Sequence, residues 1–335
     1  MNLYDDLLKQ VSRSIYLSLT ALPSPLRRQM GLGYLFCRAA DTIADTRLVA
    51  RPLRMKYLDL FRQQFEQETP SPEAAAEIRS ALEPRQDHPS EKLLLSRLED
   101  CFQAALDFDR EDRDLLREVV VGVTDGMRMD LTVFTGEDES QLVALNTPEE
   151  LERYCYFIGG CPGIFWTKLC FRHLPSLGAT DREGMLRRAT EFGKGLQMTN
   201  ILRDLAKDLR NGRCYIPRTE LARQGLSPRD LLGTGAWIRL EPVYGELINR
   251  TKQYLDEGLD YIQNLPRREI RLRAACTWPL LAALKTVALL TRSQDVLDPG
   301  KTVKISRSEL YRLMAISTAV LPSNTALAAL YRKTR

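Results

Sequence analysis

Two short stretches carry the residues best suited to chemistry. In QMTNILRDLAKD, Gln197, Asn200, Asp204 and Asp208 stand at offsets 0, 3, 7 and 11. An α-helix, at about 100° per residue, turns all four onto one narrow face. The opposing Ile201, Leu205 and Leu209 are apolar and can pack. Upstream, CRAADTIAD repeats the device: Asp41 and Asp45 are spaced i, i+4 among the small or apolar Cys37, Ala39, Ala40, Ile43 and Ala44. Side chains at that spacing lie about 5–6 Å apart. One such pair alone is as well explained by a solvated helix face. Two pairs, one of them flanked by amides, point to a divalent cation.

Mg²⁺ prefers oxygen ligands, keeps part of its water, and typically takes one or two protein carboxylates plus substrate phosphates. The expected ligand is therefore a diphosphate bridged through Mg²⁺ to Asp41, Asp45, Asp204 and Asp208. Arg38 lies three residues before Asp41, and Arg203 and Lys207 flank the second pair. Arg13 and Ser14, in the SRS segment, offer further diphosphate donors. Arginine suits phosphate because its fork donates two parallel hydrogen bonds. Each of these arginines, taken singly, is equally at home as a surface charge. Metal-bound diphosphate in an apolar helical cavity implies ionisation of a C–O bond. The metal stabilises the leaving group, and the cavity shields the carbocation from water.

The elements that must hold these residues are helical almost throughout. Apolar periodicity predicts helices over 4–20, 26–46, 52–66, 92–107, 111–131, 149–171, 181–209, 239–264 and 267–293, with a last one starting near Ser306. Residues 68–89, with Pro70, Pro72, Pro84 and Pro89 around a short Ala-rich piece, read as a connection. Residues 138–147 and 295–303 read as loops, and 210–217 as irregular. Gly159, Gly160, Pro162 and Gly163 fall inside the helix over 149–171, where proline costs about 3 kcal/mol or more. That interruption serves either close approach of backbone to a ligand or a Gly-rich crossing of two helices. With no clear linker, the expectation is one all-α domain over 1–335, a helical bundle around a central cavity.

Composition excludes several classes. A net charge of +4 with interspersed signs is no nucleic-acid footprint. Seven scattered Cys without a CxxC pair suggest reduced thiols in a cytoplasmic protein. His88 and His173, both in Pro-containing connections, are too few for a zinc site. MNLYDDLLKQ does not read as a signal peptide. Leu313 to Tyr331 is uncharged and reads as a helix, a break at Pro322 and a second short helix; it fits either peripheral membrane contact or core packing.

DTIAD, NILRDLAKD, the SRS segment, DGMRMDL at 125–131 and NGRCYIPRTELARQGLS at 211–227 together resemble the squalene/phytoene synthases, over nearly the whole chain. The resemblance implies the all-α isoprenoid synthase fold and head-to-head joining of two prenyl diphosphates. It implies Mg²⁺-diphosphate binding at the four aspartates with Gln197 and Asn200 beside them, and diphosphate contacts from Arg13, Ser14, Arg38, Arg203 and Arg213. KTVKISRSELY, 301–311, resembles the squalene-synthase segment that touches NADPH, which implies a cofactor role for Lys304, Arg307 and Tyr34. The implied activity is squalene synthase, with two molecules of farnesyl diphosphate as substrates, Mg²⁺ and NADPH.

In YCYFIGG the family's tyrosine is replaced by Phe157, with Tyr154 and Tyr156 close by. Either a neighbouring Tyr handles the proton, making Tyr154 catalytic, or the released diphosphate acts as base and Phe157 offers its π face. Two alternatives remain open. One is a reductant-free phytoene or dehydrosqualene synthase, or one that stops at presqualene diphosphate. The other is a non-catalytic protein that binds lipid diphosphates or membranes.

Overall fold

The computed structural model of the 335-residue chain describes residues 3–12 and 15–335. A π-helical turn, Leu3–Leu7, leads into α1 (Leu8–Val11), followed by α2 (Ile15–Ala21), α3 (Ser24–Asp45) and α4 (Arg51–Glu66). Next come α5 (Pro72–Leu82), α6 (Pro89–Ser96), α7 (Leu98–Leu106) and α8 (Arg110–Val133). Strand β1 (Val143–Ala144) precedes α9 (Pro148–Cys155), a second π turn (Tyr156–Gly160) and α10 (Cys161–His173). The long α11 (Arg182–Arg210) is followed by β2 (Arg213–Cys214) and α12 (Arg218–Ala222). The last four helices are α13 (Ala236–Asn264), α14 (Ile270–Thr291), α15 (Arg307–Val320) and α16 (Asn324–Thr334). The chain is all-α, as its periodicity predicts.

Four local expectations need correction. The Pro-rich connection holds a full helix, α5: Ser71 Oγ caps it by accepting from Ala74 N, and Ala74, Ala75, Ile78 and Leu82 are buried. The helix expected over 92–107 is two, α6 and α7, broken at Arg97, whose backbone is not helical. His173 closes α10 instead of lying in a connection. Residues 213–214 and 143–144 pair as a two-strand parallel bridge, too short to show any alternation.

The chain divides into two compact units, one running to residue 131 and including 164–178, the other comprising 132–163 and 179–335. In the first, Phe36 of α3, Phe61 and Phe65 of α4, and Phe102 of α7 form a ring cluster with centroids 4.8–6.3 Å apart. Burying each such side chain contributes about 1.5–3 kcal/mol. Gly33 lets α3 lie against Phe165, since a Cβ there would stand 2.5 Å from that ring. The buried carboxylate of Asp112 accepts from Arg172 Nε at 2.9 Å and Gln29 Nε2 at 3.0 Å, and pairs with His173 Nε2 at 2.8 Å. It thereby ties α8 to α10 and α3.

In the second unit α11 runs through the middle, packed by α13, α14, α9 and the π turn. The π turn meets α11 backbone to backbone, for a Cβ on Gly193 would stand 2.5 Å from the carbonyl carbon of Gly159. Gly163 makes a similar but looser approach to Ala189, where an added Cβ would stand 3.0 Å from the carbonyl carbon. The interruption in this helix is therefore used for helix crossing. The extra residue of the π turn accommodates it, and Pro162 falls in the first turn of the segment that follows. α14 has the length and hydropathy of a membrane span, but 61% of its most apolar window is buried within the molecule, as a core helix is. It carries the fully buried Arg273, which donates to the carbonyls of Ile262, Leu265 and Leu321 and to Asn324 Oδ1. One guanidinium thus satisfies the last carbonyls of α13 and α15 and holds the Asn324 side chain at the start of α16.

Candidate active site

In the first unit, α3 is enveloped on nearly every side. From Gly31 to Asp45 only Tyr34, Cys37, Arg38, Asp41 and Asp45 escape full burial. These residues stand at offsets 0, 3, 4, 7 and 11, so they form one strip along an otherwise covered helix. That is not the wide solvated face of a surface helix. The strip is fixed at its end by Arg54, itself buried, whose Nη1 donates to Ala44 O at 2.8 Å. Thr46 Oγ1 bonds back to Thr42 O at 2.7 Å. Arg38 pairs with Asp41 on the same strip and with Glu91 of α6. Burial works against the Arg38 charge, but the carboxylates of Asp41 and Glu91 more than offset it and raise its pKa. Tyr34 Oη donates to Val11 O at 3.3 Å.

In the second unit α11 presents the matching strip. Ile201, Leu205 and Leu209 are buried as expected, while Gln197, Asn200, Asp204 and Asp208 remain accessible. Arg203 lies bidentate on Asp204, with Nε and Nη2 at 2.9 and 2.6 Å from its two oxygens. Asn200 Nδ2 donates to Gln197 Oε1 at 3.4 Å. Beyond Gln197 the helix is covered by the π turn, where Gly160 approaches Thr190. The turn's Tyr156 and Phe157 thus belong to the segment that closes the upper end of the strip.

One member of each acidic pair lies in the last turn of its helix, Asp45 as the last residue of α3 and Asp208 two residues before the end of α11, while Asp41 and Asp204 lie a turn further in. A helix C-terminus carries partial negative charge, so Asp45, with no basic residue in the last turn of α3, is placed against the macrodipole at about 0.3–1 kcal/mol, whereas Asp208 shares its last turn with Lys207 and Arg210. Among the described residues no three His, Cys, Asp or Glu side chains converge on one point. The donor set is two carboxylates one turn apart with an arginine beside them. This fits a cation that brings phosphate and water oxygens of its own.

Tyr154 is buried, its hydroxyl 3.2 Å from that of Tyr215 and its ring 4.7 Å from the Tyr215 ring. Phe134 packs edge-on against Tyr215 at 4.9 Å. Phe157 faces a cation already, since the Arg153 guanidinium lies 5.4 Å from its ring centroid. Arg213 is placed by the β1–β2 bridge, opposite Val143, after Gly212 turns the chain at φ 76°. Lys304 and Arg307 are exposed, one in the extended segment before α15 and the other opening that helix. Arg13 and Ser14 lie outside the described residues.

Tyr215, within NGRCYIP, is a residue the sequence does not single out, because its partner Tyr154 lies 61 residues away. Glu91 and Arg54, which hold the first strip, likewise have no local signature. A further charged group lies beside the second strip. Lys194 bonds Glu152 at 2.8 Å and Glu191 at 3.0 Å, and stands 4.6 Å from the Tyr254 ring. Tyr254 in turn donates to Glu152.

A family model described as squalene/phytoene synthase matches residues 8–309. A bifunctional lycopene cyclase/phytoene synthase of Arthroderma gypseum is 30% identical over 263 residues, covering 78% of this chain and 42% of that protein. The chain spans about half the length of the curated relatives it matches. Among solved structures, a complex of TcSQS with a ligand superposes with a TM-score of 0.77 at 20% identity, covering 98% of this chain and 89% of the other. A dehydrosqualene synthase in complex with a ligand gives 0.64 at 20% identity, with 94% of each chain covered. At that identity these likenesses establish the fold.

Proposed function

This chain belongs to the squalene/phytoene synthase family, and from that premise we propose that it is a squalene synthase. It would join two farnesyl diphosphates head to head into presqualene diphosphate and then reduce that to squalene with NADPH. The observation that carries the prenyl-transfer reading is the pair of narrow acidic strips, each with two carboxylates one turn apart and an arginine resting on one of them. Asp41 and Asp45 would hold one metal–diphosphate group, and Asp204 and Asp208, with Gln197 and Asn200, the other. Bound Mg²⁺ would supply charge neutralisation of the departing diphosphate. Arg38 and Arg203, which now rest on Asp41 and Asp204, would release those carboxylates and turn their forks to phosphate oxygens. Arg213, beside the second strip in sequence, would add a further donor, and Arg13 and Ser14 another pair. Tyr154 and Tyr215 share a hydrogen bond through which a proton can pass between their hydroxyls. That favours Tyr154 over Phe157 as the residue that handles a proton, leaving Phe157 to offer its ring.

The reductive step rests on Lys304 and Arg307, two exposed cations suited to the phosphates of NADPH, with Tyr34 as the further cofactor residue. NADPH would supply the hydride. Condensation without reductant is the second reading, favoured by the phytoene synthase activity named for the Arthroderma gypseum relative. One assay separates them: purified protein with farnesyl diphosphate and Mg²⁺, with and without NADPH, and the hydrocarbons identified. Squalene forming only with NADPH is expected. A product profile indifferent to NADPH, or turnover of geranylgeranyl diphosphate alone to phytoene, would sink the squalene reading.

A further inference from the structure

The two strips treat their arginines differently. Arg203 lies on Asp204 with two nitrogens of its fork, at 2.9 and 2.6 Å. Arg38 gives Asp41 only Nη1, because Nη2 is bonded to Glu91 of α6. Arg38 Nε is buried and makes no hydrogen bond among the described residues, so Nη1 and Nη2 are the ends that reach partners. A carboxylate from outside the strip therefore divides this guanidinium.

Glu91 is built into that position. It is the third residue of α6, whose cap residue is His88 and whose first residue is Pro89. A glutamate there commonly folds back to accept from the backbone N–H of the cap residue. Here that N–H is already taken, since His88 N donates to Gln86 Oε1 at 3.0 Å. The Glu91 carboxylate is left to reach across to α3, with only 14% of its side chain exposed. Its place in the first turn of α6 suits a negative charge. Leu94 and Leu95, both fully buried, anchor that helix. Gln86, just before it, donates through Nε2 to Thr46 Oγ1 at 3.0 Å, at the end of α3. The segment that carries Glu91 is thus tied to the same helix as the strip.

We infer that Glu91 is a positioning residue for the first diphosphate site, acting through Arg38; the inference rests on the reading of Asp41 and Asp45 as metal ligands. By holding Nη2, Glu91 keeps Arg38 from closing on Asp41 as Arg203 closes on Asp204. Asp41 stays available to a cation, and Nη1 needs only to leave one oxygen to donate to a phosphate. The guanidinium keeps one anchor in both states, so less freedom is lost when the anion binds. Partners of this kind, one step removed from the ligand, typically change affinity by about tenfold to a hundredfold when they are lost.

Titration calorimetry of the full chain with Mg²⁺ and inorganic diphosphate tests this. The binding event that Arg38→Met weakens is that of the first strip. Glu91→Ala should weaken the same event about tenfold, and Glu91→Gln, which still offers an oxygen to Nη2, about threefold. With Arg38→Met already in place, Glu91→Ala should change the affinity by less than about twofold, because its effect passes through Arg38. A loss that came only from loosened packing would appear equally in both backgrounds. Circular dichroism establishes that each variant keeps its helices. Three results would overturn the inference: Glu91→Ala binding within about twofold of wild type, tighter binding in that variant, or the same loss with and without Arg38. Arg38→Met binding as tightly as wild type would go further and remove the first strip's role in holding diphosphate, on which the inference rests.

Discussion

At the scale of single residues, the informative observation is what the candidate metal ligands do in the folded chain. Asp41 and Asp204 are neither buried nor fully solvated; each leans on an arginine of its own helix, with side-chain exposures of 31% and 35%. Ion pairs this open contribute little to stability, with a median of about 0–1 kcal/mol. Replacing Asp204 by Asn keeps the shape and removes the charge. Asp204→Asn should therefore unfold at nearly the wild-type urea concentration while prenyl transfer falls at least tenfold, about 1.4 kcal/mol of lost transition-state stabilisation. Turnover within twofold of wild type would exclude Asp204 from the site. The sequence made these carboxylates legible because i, i+4 spacing on a helix is a local fact. It made Glu91 and Tyr215 illegible as partners, since one lies 53 residues from Arg38 and the other 61 from Tyr154.

At the scale of elements, the decisive contact is the crossing of the π turn with α11. Gly193 and Gly159 touch through their backbones, so a methyl group at either meets a carbonyl. Gly193→Ala should destabilise the protein by about 1–3 kcal/mol through overpacking. Gly245, inside α13 with open space where a Cβ would be, gives the contrasting case. There alanine restricts the unfolded chain and suits the helix, so Gly245→Ala should stabilise by about 0.5–1 kcal/mol. Urea midpoints moving in opposite directions would bear out both assignments; a harmless Gly193→Ala would show that the two backbones can separate. From the sequence, a glycine cluster in a helix fitted ligand approach and helix packing equally, because the partner backbone is not encoded nearby. The same holds for α5, whose proline-flanked Ala-rich run looked like a linker. Ala74, Ala75, Ile78 and Leu82 become a core face only when other helices cover them.

At the scale of the whole molecule, ligand linkage provides the readout. A ligand that binds only the folded chain stabilises it, by about 2.7 kcal/mol at a hundred times its Kd. For a chain of this length that corresponds to a rise in Tm of about 4 °C. Mg²⁺ with inorganic diphosphate should produce a shift of this order, whereas either alone should produce much less, because each is the other's missing ligand. Equal shifts from diphosphate alone would argue that arginines, not metal, hold the anion. The sequence by itself determined that the chain is helical, which residues share a helical face, and which carboxylates come in pairs, since all three follow from backbone periodicity over a few residues. Only the tertiary structure decided that α3 from Gly31 to Asp45 is covered on every side but the strip bearing Asp41 and Asp45, and that the glycines at 159–163 serve a helix crossing. Burial depends on side chains contributed from far along the chain, as when Phe61, Phe65 and Phe102 close over Phe36, and no local pattern records which distant surfaces will meet.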